Sequence, residues 1–168
     1  LRANADKYGI DKDRIAIIGE SAGGYLSAIT ATTNGYKQFD KGDNLDQSSD
    51  VQAAIDIYGL SDLTKVGEDY SDEVKAQHNS ASSPEAIFVN GISIFGTGGS
   101  INSNPEKAKA ANPITYISKD TPPFLLMHGD KDSVVSPSQT AILHKALLEK
   151  GIDSTRYIVK GANHADNY

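Results

Sequence analysis

One short stretch constrains the fold of this chain more than any other. Residues 14–31 read RIAIIGESAGGYLSAITA, which begins as an apolar run typical of a strand and ends with helix-like spacing. Between the two parts lies the pattern G-x-S-x-G, formed by Gly19, Ser21 and Gly23. A serine on a sharp turn between a strand and a helix is the arrangement of a nucleophile elbow. The stretch therefore predicts an α/β fold in which Ser21 is a nucleophile.

The residue types around Ser21 fit that chemistry. Flanking glycines let neighbouring backbone approach closely, which a strained turn of this kind requires. Because a helix N-terminus points free N–H groups at the serine, the backbone N–H of Ala22 is the predicted oxyanion donor. A dinucleotide-binding turn would need G-x-G-x-x-G and a P-loop would need a lysine before its helix, and this stretch has neither.

The rest of the chain alternates between strand and helix patterns. Strands are predicted at 15–18, 51–58, 124–127 and 156–159. Helices are predicted at 1–8, 25–31, from 84 to about 89, from 105 to 111 and from 137 to about 150. Near-continuously apolar strands that alternate with helices predict a parallel sheet covered on both faces.

Two local patterns carry further predictions. The sequence Ser136-Pro137-Ser138-Gln139 has the form of a capping box, with proline at the first helical position. Residues 60–112 are rich in Ser, Asn, Gly and Asp. A long segment of this kind between strands often forms a substrate wall or a lid, so we expect an irregular, lid-like insertion there.

Composition excludes several classes of function. The net charge of -6, without any Lys/Arg run, argues against a nucleic-acid partner, and no apolar run approaches the length of a membrane span. The chain has no cysteine, which excludes disulfides, thiolate metal sites and a cysteine nucleophile. No set of His, Asp and Glu has metal-ligand spacing, so no metal or other cofactor is predicted, and His78 and His144 are expected to be surface residues. Composition determines neither the compartment nor the oligomeric state.

A serine nucleophile needs a base, and the base needs an orienting acid. Elbow enzymes supply them in the order Ser, Asp or Glu, His, and parallel sheets gather functional residues beyond the carboxyl ends of their strands. His164 follows the fourth predicted strand and is the candidate base. Asp130 and Asp132 follow the third strand and are rival candidates for the acid. His128 ends that strand, so it is expected to be a buried, hydrogen-bonded structural residue.

Taken together, these motifs resemble the hormone-sensitive-lipase-like esterases of the α/β-hydrolase superfamily, and most of all the bacterial feruloyl and acetyl-xylan esterase-like branch. The resemblance extends over nearly the whole chain, and five segments carry it. They are the elbow at 19–24, the acid loop at 122–135, the histidine loop at 161–164, and the segments 82–85 and 111–116. The resemblance implies that Asp132 is the acid and that Asp130 braces the loop. It also implies a serine esterase, acting on a small-molecule or carbohydrate ester such as an acetyl or feruloyl ester of plant polysaccharide.

The resemblance further implies that residues 1–168 are the C-terminal portion of an α/β-hydrolase catalytic domain. The family fold has about four strands ahead of this region, together with a segment that supplies the second oxyanion donor. We therefore expect an apolar, incompletely paired face beside residues 15–18, and no activity from these 168 residues alone.

No sequence motif indicates the residues that contact the substrate, so these candidates are less specific predictions than the triad. Glu20, Tyr25 and Phe95 are the candidates, although Glu20 has an alternative as a structural contact and Tyr25 as packing beneath the elbow. Ile92, Ile94 and Phe95 either line an acyl pocket or cover the edge of the core.

Two other functions remain open at this point. A serine peptidase or amidase would use the same triad, since ester and amide hydrolysis share the machinery. A non-enzymatic binding module on a hydrolase fold is less favoured, because such proteins usually lose a member of the triad.

Overall fold

The centre of the molecule is a sheet of four parallel strands. A computed structural model describes residues 1–94 and 97–166 of the chain. The strands lie in the order β1-β2-β3-β4 and are Ala16–Glu20, Ala53–Ile57, Phe124–Gly129 and Ser154–Val159. The predicted class and the four predicted strands are thus confirmed. β3 extends two residues beyond its predicted end because its pairing with β4 continues to Gly129 opposite Val159.

Six α-helices connect and cover the described strands. In chain order, α1 to α6 are Ala5–Tyr8, Ala22–Thr32, Asp72–His78, Pro84–Asn90, Pro105–Ala111 and Ser138–Glu149. Within the described ranges, none of them combines the length and the apolarity that a membrane crossing requires.

Side chains of the sheet and of two helices form the main core. β2, β3, α2 and α6 contribute most of this cluster. Its buried members include Ala54, Phe124, Leu126, Ala28, Ala31, Leu143 and Leu147. Burying such side chains is the dominant favourable contribution to folding, so this core is what holds the elbow helix α2 on the sheet.

β1 lies at one edge of the described sheet, where it pairs with β2 alone. Every second residue of β1 is exposed, and Ile18 is 63% exposed. The expected apolar face beside residues 15–18 is therefore present in the described chain. A strand with one open edge and an exposed isoleucine favours association with another segment or chain.

The insertion at 60–112 is more regular than its composition predicts, because α3, α4 and α5 all lie within it. Helix α3 has no buried residue, which explains why no apolar periodicity indicates it in the sequence. The insertion packs on α2 through a second apolar cluster, whose buried members are Tyr25, Leu63, Ala86, Ile101 and Ala108.

Side chains from distant elements hold the start of the insertion in place. Gln139 Oε1 accepts hydrogen bonds from the backbone N–H groups of Ser61 and Asp62, at 2.8 and 2.9 Å. Asn112 Oδ1 accepts one from the N–H of Leu63 at 2.9 Å. Three consecutive backbone N–H groups of the insertion are therefore fixed by side chains.

The capping box predicted at the start of α6 is wrong, because the side chain of Gln139 bonds to the insertion and not to the start of its own helix. α6 begins at Ser138, with Pro137 as its N-cap residue and no side-chain cap. Ser136 Oγ instead accepts the N–H of Ser138 at 3.1 Å, while Gln139 is fully buried and faces the insertion. The helix predicted from residue 84 does begin with a side-chain cap, since Ser83 is the N-cap residue of α4 and its Oγ accepts the N–H of Ala86 at 3.2 Å.

Candidate active site

The elbow has the strained geometry that its sequence predicts. Ser21 lies between β1 and α2 with φ 53° and ψ -119°, a conformation that is rare for a residue with a side chain. Its backbone N–H donates to the carbonyl of Ile57 at 2.9 Å, which fixes the turn to β2. A Cβ atom on Gly19 would lie 2.2 Å from the carbonyl oxygen of Gly23. The turn therefore requires glycine at position 19.

A buried carboxyl lies directly beneath the start of α2. Asp56 on β2 is completely buried, and its Oδ1 accepts the N–H of Gly59 at 2.8 Å. A Cβ atom on Gly24 would lie 2.4 Å from the same oxygen, so α2 approaches β2 too closely for any other residue at position 24. Burial raises the pKa of Asp56 to about 7, although the hydrogen bond from Gly59 acts in the opposite direction. Sequence reasoning missed Asp56; the only signal was a single carboxylate in an apolar strand.

The structure brings Ser21, His164 and Asp132 together in one hydrogen-bonded chain. His164 Nε2 lies 2.9 Å from Ser21 Oγ, and His164 Nδ1 lies 2.8 Å from Asp132 Oδ2. A carboxylate beside Nδ1 favours the tautomer with the proton on that nitrogen, which leaves Nε2 free to accept the proton of the serine hydroxyl. The geometry is that of a nucleophile, a general base and an orienting acid.

Asp132 is held as a carboxylate by four donors. Its Oδ1 accepts the backbone N–H groups of Val134 and Val135, both at 2.9 Å, and its Oδ2 faces His164 and His128. Burial would raise the pKa of Asp132, but the hydrogen bonds from His128, His164 and the two backbone groups outweigh it and lower the pKa to about 2. The side chain that faces His164 is therefore ionised at neutral pH.

The rival acid, Asp130, has a different role in the structure. Its Oδ1 accepts the backbone N–H of Gly161 at 2.6 Å. Nearby, Asn163 Oδ1 accepts the N–H of Ser133 at 2.9 Å and the N–H of His164 at 2.7 Å. Asp130 thus joins the acid loop to the histidine loop, as expected for a bracing residue.

His128 is fully buried, as predicted, but it also contacts the candidate acid. Its Nε2 donates to the carbonyl of Val135 at 2.9 Å and lies 3.2 Å from Asp132 Oδ2. Its Nδ1 lies 3.1 Å from Thr140 Oγ1. Its contact with Asp132 could not be predicted, because the loop conformation that turns Asp132 back toward β3 leaves no local sequence pattern.

The prediction that His78 and His144 are plain surface residues is wrong. His78 Nδ1 lies 2.7 Å from Glu85 Oε1, and the Glu85 side chain is almost completely buried. His144 Nδ1 lies 2.9 Å from Ser154 Oγ on β4. Both imidazoles are half-buried and join an element to its neighbour, which composition alone does not reveal.

An apolar cavity of about 200 Å³ opens beside the elbow at Ala22. Its wall consists almost entirely of carbon atoms from α2, the start of the insertion and α4. The lining residues other than Ala22 are Tyr25, Leu26, Leu60, Leu63, Pro84, Glu85 and Phe88. The space is therefore suited to an apolar group attached to whatever reacts at Ser21.

The candidate substrate residues take different positions. Tyr25 lines the cavity and packs against the insertion in the second apolar cluster, where its hydroxyl donates to the carbonyl of Ala111 at 2.8 Å. Burial raises the pKa of Tyr25 to about 12. Glu20 accepts a hydrogen bond from the hydroxyl of Tyr58 at 2.8 Å. Phe95 lies outside the described residues.

Ile92 and Ile94 lie on the surface of the described chain. Both are more than half exposed, and neither belongs to the two apolar clusters. The hypothesis that these two residues cover the edge of the core therefore does not hold for the described chain.

The insertion also contacts the acid loop, which the sequence did not indicate. The hydroxyl of Tyr70 donates to the backbone carbonyl of Asp132 at 2.9 Å. Beside it, Ser136 Oγ donates to Asp69, and this bond is the largest cause of a lowered pKa for that carboxyl. In the part of the chain that the structure describes, no group of three or more His, Asp or Glu side chains is arranged to hold a metal ion.

Comparison with known proteins identifies several similar to this chain. The family model described as BD-FAE matches residues 1–147. Esterase LipC of Mycobacterium tuberculosis (strain ATCC 25618 / H37Rv) is 32% identical over 166 residues, which is 97% of this chain and 37% of LipC.

Two solved structures share both sequence and fold with the chain. The first, described as a truncated form of carbohydrate esterase from gut microbiota, is 33% identical with a TM-score of 0.79, over 97% of this chain and 56% of that one. The second, a bifunctional GH43-CE protein of Bacteroides eggerthii, is 32% identical with a TM-score of 0.77, over 98% of this chain and 23% of that one. The chain thus spans about half the length of the first structure and little more than a third of LipC.

Proposed function

Because this chain belongs to the BD-FAE family, we propose that it carries the catalytic triad of a serine esterase, an enzyme that hydrolyses carboxylic esters through an acyl-enzyme. The observation that carries the proposal is the hydrogen-bonded chain from Ser21 Oγ through His164 to Asp132. The similarity to proteins described as an esterase and as a carbohydrate esterase supports it.

In the first half-reaction, Ser21 Oγ attacks the acyl carbon of the ester while His164 Nε2 takes the serine proton. Asp132 holds the imidazole in the required tautomer and stabilises the imidazolium that forms. The tetrahedral intermediate then collapses, and His164 delivers the same proton to the departing alcohol oxygen. The products of this step are the free alcohol and an acyl group on Ser21.

The negative charge on the tetrahedral intermediate needs a donor that is already in place. The backbone N–H of Ala22 is at the N-terminus of α2, next to the nucleophile, where the helix dipole adds to its effect. Removing one oxyanion donor typically costs about 3 kcal/mol of transition-state stabilisation.

In the second half-reaction, a water molecule takes the place of the alcohol. His164 removes a proton from the water, the hydroxide attacks the acyl carbon, and the proton then returns to Ser21 Oγ as the acid leaves. Both halves use the same three side chains, Ser21, His164 and Asp132.

The cavity beside Ala22 supports an apolar acyl group as the substrate class. At about 200 Å³, it is larger than the roughly 150 Å³ cavity that accommodates benzene in another protein. A ring-sized acyl group such as a feruloyl group would fill it, whereas an acetyl group would leave most of it empty. Together with the similarity to a carbohydrate esterase, this favours feruloyl or similar esters of plant polysaccharide over simple acetyl esters.

The test is a set of hydrolysis assays on the full-length protein and its Ser21→Ala variant. We expect turnover of p-nitrophenyl acetate, butyrate and ferulate by the wild type, with kcat/KM highest for ferulate because its ring occupies the cavity. Ser21→Ala should retain the circular dichroism spectrum of the wild type and lose at least about 10³-fold in kcat, since it lacks the nucleophile.

An aminoacyl-nitroanilide serves as the control substrate. Faster turnover of the anilide than of every ester would favour the peptidase or amidase alternative. Near-normal ester turnover by Ser21→Ala would contradict the proposed nucleophile, and a rate that is highest for acetate would contradict only the proposed acyl group.

A further inference from the structure

Tyr58 has an unusual backbone for a bulky residue. It directly follows β2, is 2% exposed and has a φ of 43°, in the left-handed region that such residues rarely adopt. Its backbone N–H donates to the carbonyl of Met127 at 2.7 Å, which anchors this conformation to β3. Strain of this kind persists only where the surroundings enforce it, and it is concentrated at functional sites. The strained backbone therefore indicates that the position of the Tyr58 side chain matters for the site.

The ring of Tyr58 lies against the imidazole of His164. The two ring centroids are 4.7 Å apart, and the ring planes are tilted by 58°. A cation over the face of an aromatic ring, within about 6 Å of its centroid, is attracted to the ring. In the proposed mechanism His164 becomes a cation only after it takes the proton of Ser21. The attraction therefore stabilises the transition state more than the resting enzyme.

The hydroxyl of Tyr58 is held by a residue of the elbow. It donates to Glu20 Oε2 at 2.8 Å, and Glu20 is the last residue of β1, directly before Ser21. A carboxylate that accepts a hydrogen bond from the phenol hydroxyl increases the electron density of the ring, which strengthens the attraction of the ring for a cation. The same bond fixes the ring relative to the nucleophile, so Ser21, Tyr58 and His164 keep one geometry.

We propose that Tyr58 and Glu20 are positioning residues that stabilise the protonated form of His164 during acyl transfer, in addition to Asp132. This inference rests on the proposed function, since it concerns the same histidine. It assigns a role to the Glu20 carboxylate beyond that of a structural contact.

Other charged groups around His164 belong to different loops. Asp132 faces His164 Nδ1, and His128 contacts the same carboxylate from the end of β3 at 3.2 Å. Asp166 accepts the backbone N–H of Asn163, the residue before His164, at 2.7 Å. Substitution of Tyr58 leaves all of these groups in the chain, so a change in the pH profile reports on the ring.

The experiment compares the pH dependence of kcat/KM for a p-nitrophenyl ester in full-length wild type, Tyr58→Leu, Tyr58→Phe and Glu20→Gln. Tyr58→Leu should lower the plateau about tenfold, which corresponds to about 1.4 kcal/mol. The acidic limb of the pH profile should also move to lower pH by about one unit. Without the ring, the imidazolium is destabilised by the same free energy in the free enzyme as in the transition state, so a lower pH is needed to protonate the base. Tyr58→Phe and Glu20→Gln should each show about a two- to threefold loss and a smaller shift in the same direction.

Tyr116→Leu is the matched control. It removes another buried tyrosine ring, one that packs against Tyr36 and Phe39 rather than against His164. It should lower the unfolding midpoint without moving the acidic limb. Glu20→Gln alters an exposed side chain, so it tests the proposal even where Tyr58→Leu fails to fold.

An acidic limb that stays unmoved, or moves to higher pH, in Tyr58→Leu and Glu20→Gln would overturn the inference and leave these residues with a packing role. That outcome is separable from failure of the proposed function. If Ser21→Ala abolishes turnover while the limb stays unmoved, only the inference about Tyr58 and Glu20 fails. If Ser21→Ala retains turnover, the proposed function itself fails.

Discussion

Replacing Asp132 with asparagine should destabilise the protein strongly at neutral pH and much less in acid. The substitution preserves the size of the side chain but removes its charge. It also replaces one oxygen acceptor by an NH2 group that faces N–H donors. In the wild type, burial opposes ionisation of Asp132, while hydrogen bonds from His128, His164 and the backbone N–H groups of Val134 and Val135 favour it and prevail. The net result is a pKa of about 2 in the folded protein.

The size and the pH range of the effect follow from that pKa. An aspartate in an unfolded chain has a pKa of about 3.9, and each unit of difference corresponds to about 1.4 kcal/mol. The lowered pKa of Asp132 therefore contributes about 2 to 3 kcal/mol to the free energy of unfolding. Because the folded-state value is the lower one, this contribution is fully present above about pH 4 and is lost as the pH falls toward about 2. A carboxamide does not titrate, so the variant lacks the contribution at every pH.

The assay is urea unfolding followed by circular dichroism between pH 7 and pH 3, for wild type and Asp132→Asn. The difference in unfolding free energy should be largest at pH 7 and should shrink steadily below about pH 4. Asp130→Asn is the matched control in the same loop. Its carboxylate is exposed and accepts a single N–H, from Gly161, so its loss should be small.

An unfolding difference of equal size at pH 3 and pH 7 would refute this reasoning, because it would show that the charge of Asp132 is not what the surrounding donors stabilise. Activity provides a second measurement on the same variant. An amide cannot hold the imidazole tautomer that the mechanism needs, so kcat should fall by about 10⁴.

Two further predictions concern packing. Gly24→Ala should destabilise the protein by about 1 to 3 kcal/mol in urea unfolding, because its new Cβ would lie 2.4 Å from Asp56 Oδ1. Gly23→Ala, where a Cβ meets nothing within 4 Å, should be neutral or stabilising, and an equal loss in both variants would contradict the packing argument. Gln139→Leu should leave two buried N–H groups of the insertion without an acceptor, at about 1 to 3 kcal/mol each, and an unchanged urea midpoint would show that those bonds contribute little.

The elbow, the candidate acid and the candidate base could be predicted because each belongs to a short motif at the end of a strand. A parallel sheet brings such strand ends to one edge, so residues 21, 132 and 164 meet although they are far apart in the chain. The strands lie side by side in the order in which they occur in the sequence. The three residues follow β1, β3 and β4, so reading the strands in order was enough to place them together.

The residues that surround Ser21, Asp132 and His164 could not be predicted, because their roles depend on contacts between distant segments. Tyr70 reaches the carbonyl of Asp132 across 62 positions, and Tyr58 is 38 positions from Glu20. The sequence around Gln139 fits a capping box, but the Gln139 side chain accepts a hydrogen bond from the insertion instead. In each case the side chain forms a hydrogen bond with a residue far away in the sequence, and no pattern in the neighbouring residues indicates that bond.

Those distant contacts also bear on how the insertion works. It supplies part of the wall of the cavity beside the elbow. It is joined to the acid loop by the hydrogen bond from Tyr70 to Asp132, and to Ser136, the residue after that loop, by the hydrogen bond from Ser136 to Asp69. Gln139 adds a third connection, from α6 to the first residues of the insertion. Opening the base of the insertion as a lid would break these bonds together and leave buried N–H groups unsatisfied. These hydrogen bonds therefore hold the base of the insertion in place beside the candidate acid.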